Sequence, residues 1–198
     1  MYELVKTAHQ QKKFEATWEY FCKEYRWYND AYSENGSRYN LLFYTNGIFL
    51  KRKKVIGTIE FIPYDPGNKN CTVEGPGKFA FSAYPEINQN INRTWEIDKL
   101  CIHRDYQRQG YFQIFFQILY NHSTSNETKY YLGLIEKKFF RMIKIMFGSN
   151  IIQMGDAIVG PATELIPAVI NIQNILENEE IVQKYLGKNH FNKVKINV

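Results

Sequence analysis

Helix-period segments alternate with short strand-like runs along this chain, and that alternation restricts the fold more than any other feature. In the first segment, apolar residues recur at spacings of four, three, four and three, which predicts a helix over residues 10–29. A second helix is predicted from about Gly110 to Asn121. A third carries Phe139 on its apolar face and ends at Gly148, a residue suited to a helix C-terminus. This order is typical of a mixed α/β chain.

Short runs rich in β-branched and aromatic residues lie between these helices and predict strands. The predicted strands cover residues 41–44, 55–62, 95–103, 130–135, 151–159 and 164–171, and a last helix covers about 172–186. Residues 65–93 are rich in Gly, Pro and Asn and predict a long connection with one short helix. Without a repeat or an obvious linker, we expect a single domain over residues 1–198, with a C-terminal helix and basic tail from about residue 172 to 198.

Composition excludes several classes of protein. Hydrophobic residues make up 44% and charged residues 23% of the 198 residues, as in folded globular proteins. The N-terminus has no basic and apolar leader, and no stretch approaches 18 apolar residues, so we expect neither secretion nor membrane association. Three widely spaced cysteines, Cys22, Cys71 and Cys101, predict no disulfide framework and favour a cytoplasmic location. Neither they nor the four histidines have the spacing of metal ligands, so we assign no metal.

The net charge of +5 suits an anionic small ligand, a nucleic acid or no charged partner. Basic residues cluster at Lys51–Lys54 and in the tail at Lys184, Lys188, Lys193 and Lys195. We interpret the first cluster as a solvated turn and the second as a solvated terminus, because neither is interleaved with aromatic residues that stack on bases. Nucleic-acid binding is therefore the least favoured class.

The segment from Lys99 to Phe112 carries the clearest chemical signal. It places a strand, a polar turn and Gly110 directly before the second helix. The first N–H groups of a helix have no acceptors within it and lie at its positive end, so a phosphate can dock there. Arg104 and Arg108 would add positive charge. From the residues alone, an ordinary turn with surface arginines explains the pattern equally well.

The same segment resembles the acyl-CoA pyrophosphate loop of the GCN5-related N-acetyltransferase (GNAT) superfamily, Gln/Arg-x-x-Gly-x-Gly/Ala. Gln107, Gly110 and Phe112 stand at the three motif positions, and Phe112 departs from the family's Gly or Ala. The order of elements also matches from about residue 2 to residue 171. The resemblance implies a GNAT-type acyl-CoA N-acyltransferase fold of the α/β (α+β) class, with a central mixed, mostly antiparallel sheet flanked by helices.

The resemblance further implies how acetyl-CoA or a longer acyl-CoA would bind as co-substrate. The strand through Leu100 and Ile102 is implied to pair with the pantetheine arm. The turn that follows Gln107 is implied to hold the pyrophosphate through its backbone amides. These are the amides of Arg108, Gln109, Gly110, Tyr111 and Phe112.

A narrower resemblance covers Trp95–Ile102, which is similar to the Glu-x-x-Arg strand of the acyl-homoserine-lactone synthases and long-chain N-acyl amino acid synthases. Lys99 replaces the Arg. The stretch from Phe139 to Pro167 is similar to that branch as well. The branch uses acyl-carrier-protein thioesters, which makes an acyl carrier protein a further candidate partner. The N-terminal part lacks the aromatic and acidic motif of the homoserine-lactone enzymes, so we do not expect that product.

Acylation of an amine requires a base that takes a proton from the amine and hydrogen-bond donors that stabilise the oxyanion. It also requires that the CoA thiolate can leave. Glu96 and Asp98 are the candidate catalytic residues, because both lie on the strand beside the implied thioester site and alternation turns them to one face. We favour Glu96, which matches the family position. An ion pair of such a carboxylate with Lys99 or Lys137 is the competing interpretation.

The superfamily often protonates the leaving thiolate with a tyrosine on its fourth helix. Counting back from Gly148, that slot holds Lys144. Tyr130 or Tyr131 would be a substitute, although tyrosines on a strand also serve as core residues. Cys101 is interpreted as a core thiol, since no paired His and Asp accompanies it.

Aromatic residues reach 16% of the chain, which suits either a bulky core or a roomy apolar pocket. If the narrower resemblance holds, aromatic side chains should line an elongated cavity for the acyl chain, with core packing as the competing interpretation. The candidates are Phe112, Phe115, Phe116 and Phe139.

The resemblance thus implies an N-acyltransferase, foremost an N-acetyltransferase, that moves an acyl group from acyl-CoA to the primary amine of a small-molecule or peptide acceptor. Two alternatives stay open. One is a catalytically inactive protein of the same fold that binds acyl-CoA or acts as a scaffold, and the other is a long-chain N-acyl synthase that uses acyl carrier protein. The acceptor, the acyl chain length and the formation of homo-oligomers are also open.

Overall fold

The computed structural model describes residues 1–46 and 51–187, which form an eight-stranded sheet covered by helices. The strands are β1 (Tyr2–Leu4), β2 (Ser37–Asn46), β3 (Lys51–Pro63), β4 (Thr94–Ile102), β5 (Tyr130–Glu136), β6 (Ile151–Gln153), β7 (Ile158–Val159) and β8 (Glu164–Asn171). The helices are α1 (Ala8–Tyr25), α2 (Pro85–Asn88), α3 (Phe112–Asn126), α4 (Lys137–Phe147), α5 (Ile172–Glu177) and α6 (Glu179–Leu186).

The sheet order is β1-β2-β3-β4-β5-β8-β6, and β7 pairs with β8 beside it. Every neighbouring pair is antiparallel except β4 and β5, which are parallel. A parallel pair needs a crossover connection, and α3 supplies it. The predicted mixed, mostly antiparallel sheet flanked by helices is confirmed.

Each face of the sheet buries its own set of apolar side chains. On one face α3 and α4 pack together, and Phe116 and Phe147 stack with ring centroids 5.7 Å apart. On the other face, α1 packs Trp18 and Phe21 against Cys101 of β4. The connection between β3 and β4 covers the rest of that face. A single central sheet therefore separates two environments, and β4 and β5 border both.

Helix α1 begins with a capping box, in which the Thr7 hydroxyl accepts from the Gln10 N–H and Gln10 reaches back to the Thr7 backbone. The predicted end at residue 29 is wrong. Arg26 adopts a left-handed conformation with φ of 57°, which ends the helix and turns the chain away. Tyr28, assigned by its spacing to the apolar face, is consequently 68% exposed.

Other predicted boundaries also shift. The predicted helix over 172–186 is divided at Asn178, whose side chain accepts from the Ile181 N–H and caps α6. The predicted strand over 151–159 is divided into β6 and β7. The connection over 65–93 holds two short 3₁₀ turns besides α2. Lys51–Lys54 belongs to β3 and is not a turn, because its backbone pairs with β2.

Of the predicted basic tail, Lys188, Lys193 and Lys195 lie outside the described residues, so the tail and the single-domain prediction stay predictions. Within residues 1–46 and 51–187, no helix is long and apolar enough to cross a bilayer.

Candidate active site

Strands β4 and β5 separate after only three residue pairs, and this opening organises the candidate site. The parallel ladder ends at the pair Glu96 and Leu132, whereas β4 continues to Ile102 and β5 to Glu136. Along this wedge, the β5-facing edge of β4 has no strand partner among the described residues. Unpaired backbone N–H and C=O groups on a strand edge bind extended chains, so the edge that holds Leu100 and Ile102 can pair with an amide-bearing arm.

A β-bulge in β4 accompanies the wedge. Thr58 and Glu60 of β3 pair with Cys101 and Asp98 of β4, so β4 carries one residue more than β3 over this stretch. The extra residue is Lys99, whose φ of 49° lies in the left-handed region. Such a bulge bends its strand and redirects the side chains beyond it. Just beyond the bulge, where position 57 pairs with Ile102, only glycine fits, because a Cβ there would lie 2.3 Å from the Cys101 carbonyl oxygen.

The turn between β4 and α3 forms a cradle for an anion. Within the described part of the chain, the backbone N–H groups of five consecutive residues, from Arg108 to Phe112, have no acceptor. Arg108 and Gly110 have φ of 61° and 82°, and Tyr111 follows in the right-handed helical region. Alternation between left- and right-handed residues turns successive N–H groups into one concavity, at the positive end of a 15-residue helix. The N–H groups at which the resemblance implies pyrophosphate binding therefore share one concavity, and their role in binding a phosphate stays a prediction.

Two side chains of the predicted motif brace this turn. Gln107 Nε2 donates to the Ile102 carbonyl at 3.2 Å, and Gln109 Nε2 donates to the Asp105 carbonyl at 2.6 Å. Gln107 thus ties the turn to the end of β4, and Gln109 ties it to the residues that follow that strand. Gln107 and Gln109 would therefore help to bind a ligand by holding the turn in shape, and not by direct contact of their side chains with it.

Phe112 departs from the motif without obstructing the cradle. Its ring packs against Phe147 and Tyr185, with centroid distances of 6.2 and 6.0 Å. The side chain therefore enters the core between α3, α4 and α6, and the Phe112 amide stays at the first turn of α3.

Glu96 lies at the last paired position before the wedge, with 1% of its surface exposed. Its Oε2 accepts from the Thr72 N–H at 2.8 Å and from the Thr72 hydroxyl at 2.6 Å, and its Oε1 accepts from the Cys71 thiol at 3.1 Å. No Lys or Arg among the described residues pairs with it. Burial raises the pKa of the Glu96 carboxyl, and the hydrogen bonds from Thr72 and Cys71 oppose that shift. A carboxylate with a raised pKa and no cation beside it has the character of a base.

Asp98, in contrast, belongs to a network of charges under α1. Lys99 Nζ lies 2.6 Å from Asp98 Oδ2 and 2.9 Å from Glu60 Oε2, and Arg38 Nε lies 2.7 Å from Glu60 Oε1. Burial alone would lower the pKa of Lys99, but the carboxylates of Asp98 and Glu60 outweigh it and the pKa is raised. The predicted pairing of a strand carboxylate with Lys99 thus holds for Asp98. Lys137 pairs instead with Glu164 at 2.7 Å.

Neither substitute for the missing acid faces the wedge. Tyr131 is fully buried, with its hydroxyl 2.7 Å from His122 Nδ1, and the Tyr130 hydroxyl bonds to Glu86. Lys144 Nζ donates to the Ile151 carbonyl at 2.6 Å. The core interpretation of both tyrosines agrees with the structure.

Cys101 is likewise a core thiol. It is 6% exposed, its Sγ lies 3.0 Å from the Thr58 hydroxyl, and burial raises the pKa of the thiol to about 12. A protonated thiol of this kind is a poor nucleophile.

Several residues at the wedge were not foreseen from the sequence. Cys71 and Thr72 sit in the Gly- and Pro-rich connection, where no periodicity marks a partner for Glu96. Trp27 Nε1 donates to Glu136 Oε1 at 3.0 Å, which joins the segment after α1 to the free end of β5. Trp27 also stacks on Trp18 with a centroid distance of 5.6 Å. The aromatic density near residue 27 was the only sequence signal for this contact.

The predicted elongated acyl cavity is not lined by the aromatic residues expected to form it. Phe115 and Phe116 are 7% and 0% exposed and belong to the core between α3 and α4. A cavity of about 330 Å³ lies at the far end of α3, between Thr128 and Gln173. Another, of about 290 Å³, borders α2 near Ser82. Neither adjoins the wedge, so the structure supports core packing for these phenylalanines.

The sequence matches no protein-family model and no curated protein. Solved structures, in contrast, show clear likeness of fold. FeeM, an N-acyl amino acid synthase from uncultured soil microbes, aligns over 87% of this chain and 91% of its own, with a TM-score of 0.64 and 9% identity. TofI in an apo form aligns over 87% and 91%, with a TM-score of 0.59 and 11% identity.

The spermidine N-acetyltransferase from Vibrio cholerae, in complex with CoA and spermine, aligns over 89% of this chain and 97% of its own, with a TM-score of 0.53 and 11% identity. Together these structures show that the chain has the fold of the GNAT acyltransferases, as the pyrophosphate-loop resemblance implied. At such identities the likeness establishes the fold, and the chemistry must be argued from the residues of this chain.

Proposed function

We propose that this protein is an N-acyltransferase that transfers an acetyl group from acetyl-CoA to the primary amine of a small-molecule or peptide acceptor. The observation that carries the proposal is the run of five unpaired amides from Arg108 to Phe112, next to an unpaired edge of β4. A pyrophosphate and an amide-bearing pantetheine arm need these two features side by side.

The remaining chemistry is assigned to β4. With pyrophosphate at the cradle and pantetheine along the edge that holds Leu100 and Ile102, the thioester would reach the start of the wedge, beside Glu96. Glu96 is proposed as the base, because it has a raised pKa and no cation partner. Asp98 is the weaker candidate, since its carboxylate is already held in an ion pair with Lys99. Transfer is direct, from thioester to amine, without an acyl-enzyme.

The comparisons support this assignment at the level of chemistry. One similar structure holds CoA and spermine, and another is a synthase of N-acyl amino acids. Both activities join an acyl group to an amine. A carrier-protein donor would use the same edge of β4, because its phosphopantetheine arm is chemically that of CoA. It carries one phosphate where CoA carries a pyrophosphate, so a cradle of five consecutive amides favours CoA.

A second candidate is an acyl-CoA-binding protein without turnover. It is favoured by the position of Lys144, which bonds to the Ile151 carbonyl where the superfamily often has an acidic tyrosine. A CoA thiol has a pKa near ~8.5 and can leave as a thiolate, so this feature weakens catalysis without preventing it.

One experiment separates the two candidates. The purified protein is mixed with acetyl-CoA and, in turn, with spermine, L-lysine, L-phenylalanine and a lysine-containing peptide, and release of free thiol is followed. We expect thiol release that requires both acetyl-CoA and an amine. Acetyl-CoA binding by calorimetry without thiol release from any amine would instead support the binding protein.

A further inference from the structure

Glu96 is sealed from solvent by the residues that donate hydrogen bonds to it. Its side chain lies under Cys71 and Thr72, and only 1% of the residue is exposed. Yet a base must accept a proton from the amine during the reaction. Because the carboxylate is buried, an amine would reach the residues that cover Glu96 before it reached the carboxylate itself.

Thr72 is the group placed to bridge that gap. Its hydroxyl donates to Glu96 Oε2 at 2.6 Å, and the residue is only partly buried, whereas Glu96 itself and Cys71 are buried. The Thr72 N–H, at 2.8 Å from the same Oε2, holds the threonine in this position. A hydroxyl is both a donor and an acceptor, so it can take up one proton while it releases another.

We infer that the Thr72 hydroxyl relays the proton of the acceptor amine to Glu96. This inference rests on the proposed function and adds one residue to it. As the amine nitrogen attacks the thioester carbon, its proton passes to Thr72 Oγ1, and the original Thr72 hydroxyl proton passes to Glu96 Oε2. The C–S bond breaks as the C–N bond forms, and the electron pair leaves with the CoA thiolate. Threonine is unchanged at the end, and Glu96 carries the proton until solvent removes it.

The other groups around Glu96 fit this role less well. The titratable side chains that face it are the Cys71 thiol and the Asp98 carboxyl. Cys71 is 2% exposed and burial raises its pKa to about 12, so the thiol stays protonated and serves as a fixed hydrogen-bond donor. Asp98 is held by Lys99. Of the two residues that donate to Glu96, only Thr72 is not fully buried, and only its hydroxyl can pass on one proton while it accepts another.

The relay is tested with two substitutions at one position. Thr72→Val keeps the shape of the side chain and removes the hydroxyl, whereas Thr72→Ser keeps the hydroxyl. With acetyl-CoA and the best amine of the panel above, we expect Thr72→Val to lower kcat about 10²-fold with the KM for acetyl-CoA unchanged. Thr72→Ser should stay within about threefold of the wild type. The acidic limb of the kcat–pH profile, set by Glu96, should persist in Thr72→Ser and disappear in Thr72→Val.

A double-mutant cycle distinguishes a relay from a merely structural hydroxyl. If Thr72 and Glu96 act on one proton, Thr72→Val in the Glu96→Gln background should cost less than about threefold further in kcat. If the wild type turns over an amine and a folded Thr72→Val variant keeps full activity, the relay is wrong while the proposed function stands. So would multiplicative losses in the double variant. If the wild type acylates no amine, the proposed function fails first and the relay with it.

Discussion

Lys99 Nζ lies 2.9 Å from Glu60 Oε2, and neither side chain has any exposed surface. The pair exists because the bulge at Lys99 turns a basic side chain under α1, where Glu60 of the neighbouring strand already points. Asp98 and Arg38 complete the set, so two cations oppose two carboxylates. Because the charges balance, their burial costs less free energy than burial of a single charge would. Removal of any one of them leaves a buried charge without its partner, which destabilises the fold.

Loss of the Lys99 ammonium should destabilise the protein strongly. Lys99→Met keeps the length of the side chain but leaves Glu60 with only Arg38, and breaking a buried pair typically costs about 3–5 kcal/mol. Lys137→Met is the matched control, because its pair with Glu164 is exposed to solvent and should contribute far less to stability. Urea unfolding measures both. Equal effects of the two substitutions would contradict the buried network.

The cradle predicts a specific effect of Gly110→Val on CoA affinity. Gly110 has φ of 82°, which a β-branched residue adopts only with strain, so the turn must rearrange and the N–H groups lose their common direction. We expect CoA to bind at least tenfold more weakly by calorimetry, about 1.4 kcal/mol. Gly75→Val introduces the same kind of strain at φ of 129° in another connection and should leave CoA affinity unchanged. Unaltered affinity in a folded Gly110→Val variant would exclude the cradle as the pyrophosphate site.

Replacement of the proposed base should separate binding from turnover. Glu96→Gln keeps the shape of the side chain but cannot accept a proton, so kcat should fall by about 10² to 10⁴ while CoA binding survives. The same substitution should change stability with pH. Folding raises the pKa of the Glu96 carboxyl, so the stability of the wild type falls as pH rises from 4.5 to the folded pKa. Glu96→Gln lacks this carboxyl, so its stability should rise relative to that of the wild type over the same pH range. Retention of full activity would pass the role of base to Asp98.

His122 should make the fold sensitive to acid. It is 1% exposed and stacks on Phe61 at 4.0 Å, and burial lowers its pKa from 6.5 to about 4. Between those values the unfolded chain binds a proton that the folded chain does not, so stability falls as pH decreases. The loss is about 3 kcal/mol by the linkage relation. Urea unfolding from pH 7 to pH 4 should show this slope in the wild type and a shallower one in His122→Gln. Parallel slopes would show that the buried imidazole becomes protonated without penalty.

The packing of Phe115 and Phe116 predicts little dependence of affinity on acyl chain length. A fully buried methylene adds about 0.8 kcal/mol, so a long apolar cavity would strengthen binding by roughly 3 kcal/mol between acetyl- and hexanoyl-CoA. With these phenylalanines in the core, we expect less than a tenfold change across acetyl-, hexanoyl- and dodecanoyl-CoA in calorimetry. A steep rise in affinity would show that the wedge opens into an acyl pocket.

Elements with a strong local signal were predicted well. The turn before α3 was recognised because a strand, a polar turn, a glycine and an amphipathic helix follow one another directly, and each is a preference of neighbouring residues. Boundaries failed where a single residue adopts an unusual conformation. Arg26 ends α1 in the left-handed region and Asn178 divides the last helix, and neither choice disturbs the apolar periodicity.

The sequence by itself determined the order of most helices and strands and the position of the strand–turn–glycine–helix segment before α3, since these follow from side-chain period and backbone preference over a few residues. The sheet class and the role of that turn as an anion cradle were implied by the family resemblance. Only the tertiary structure decided what the two carboxylates of β4 do. Glu96 meets Thr72, 24 residues away, and is left without a cation, whereas Asp98 meets Lys99 because a bulge against β3 turns that lysine inward. Strand register and loop packing are set by contacts between distant segments, and a carboxylate's basicity depends on those contacts more than on its place in the chain.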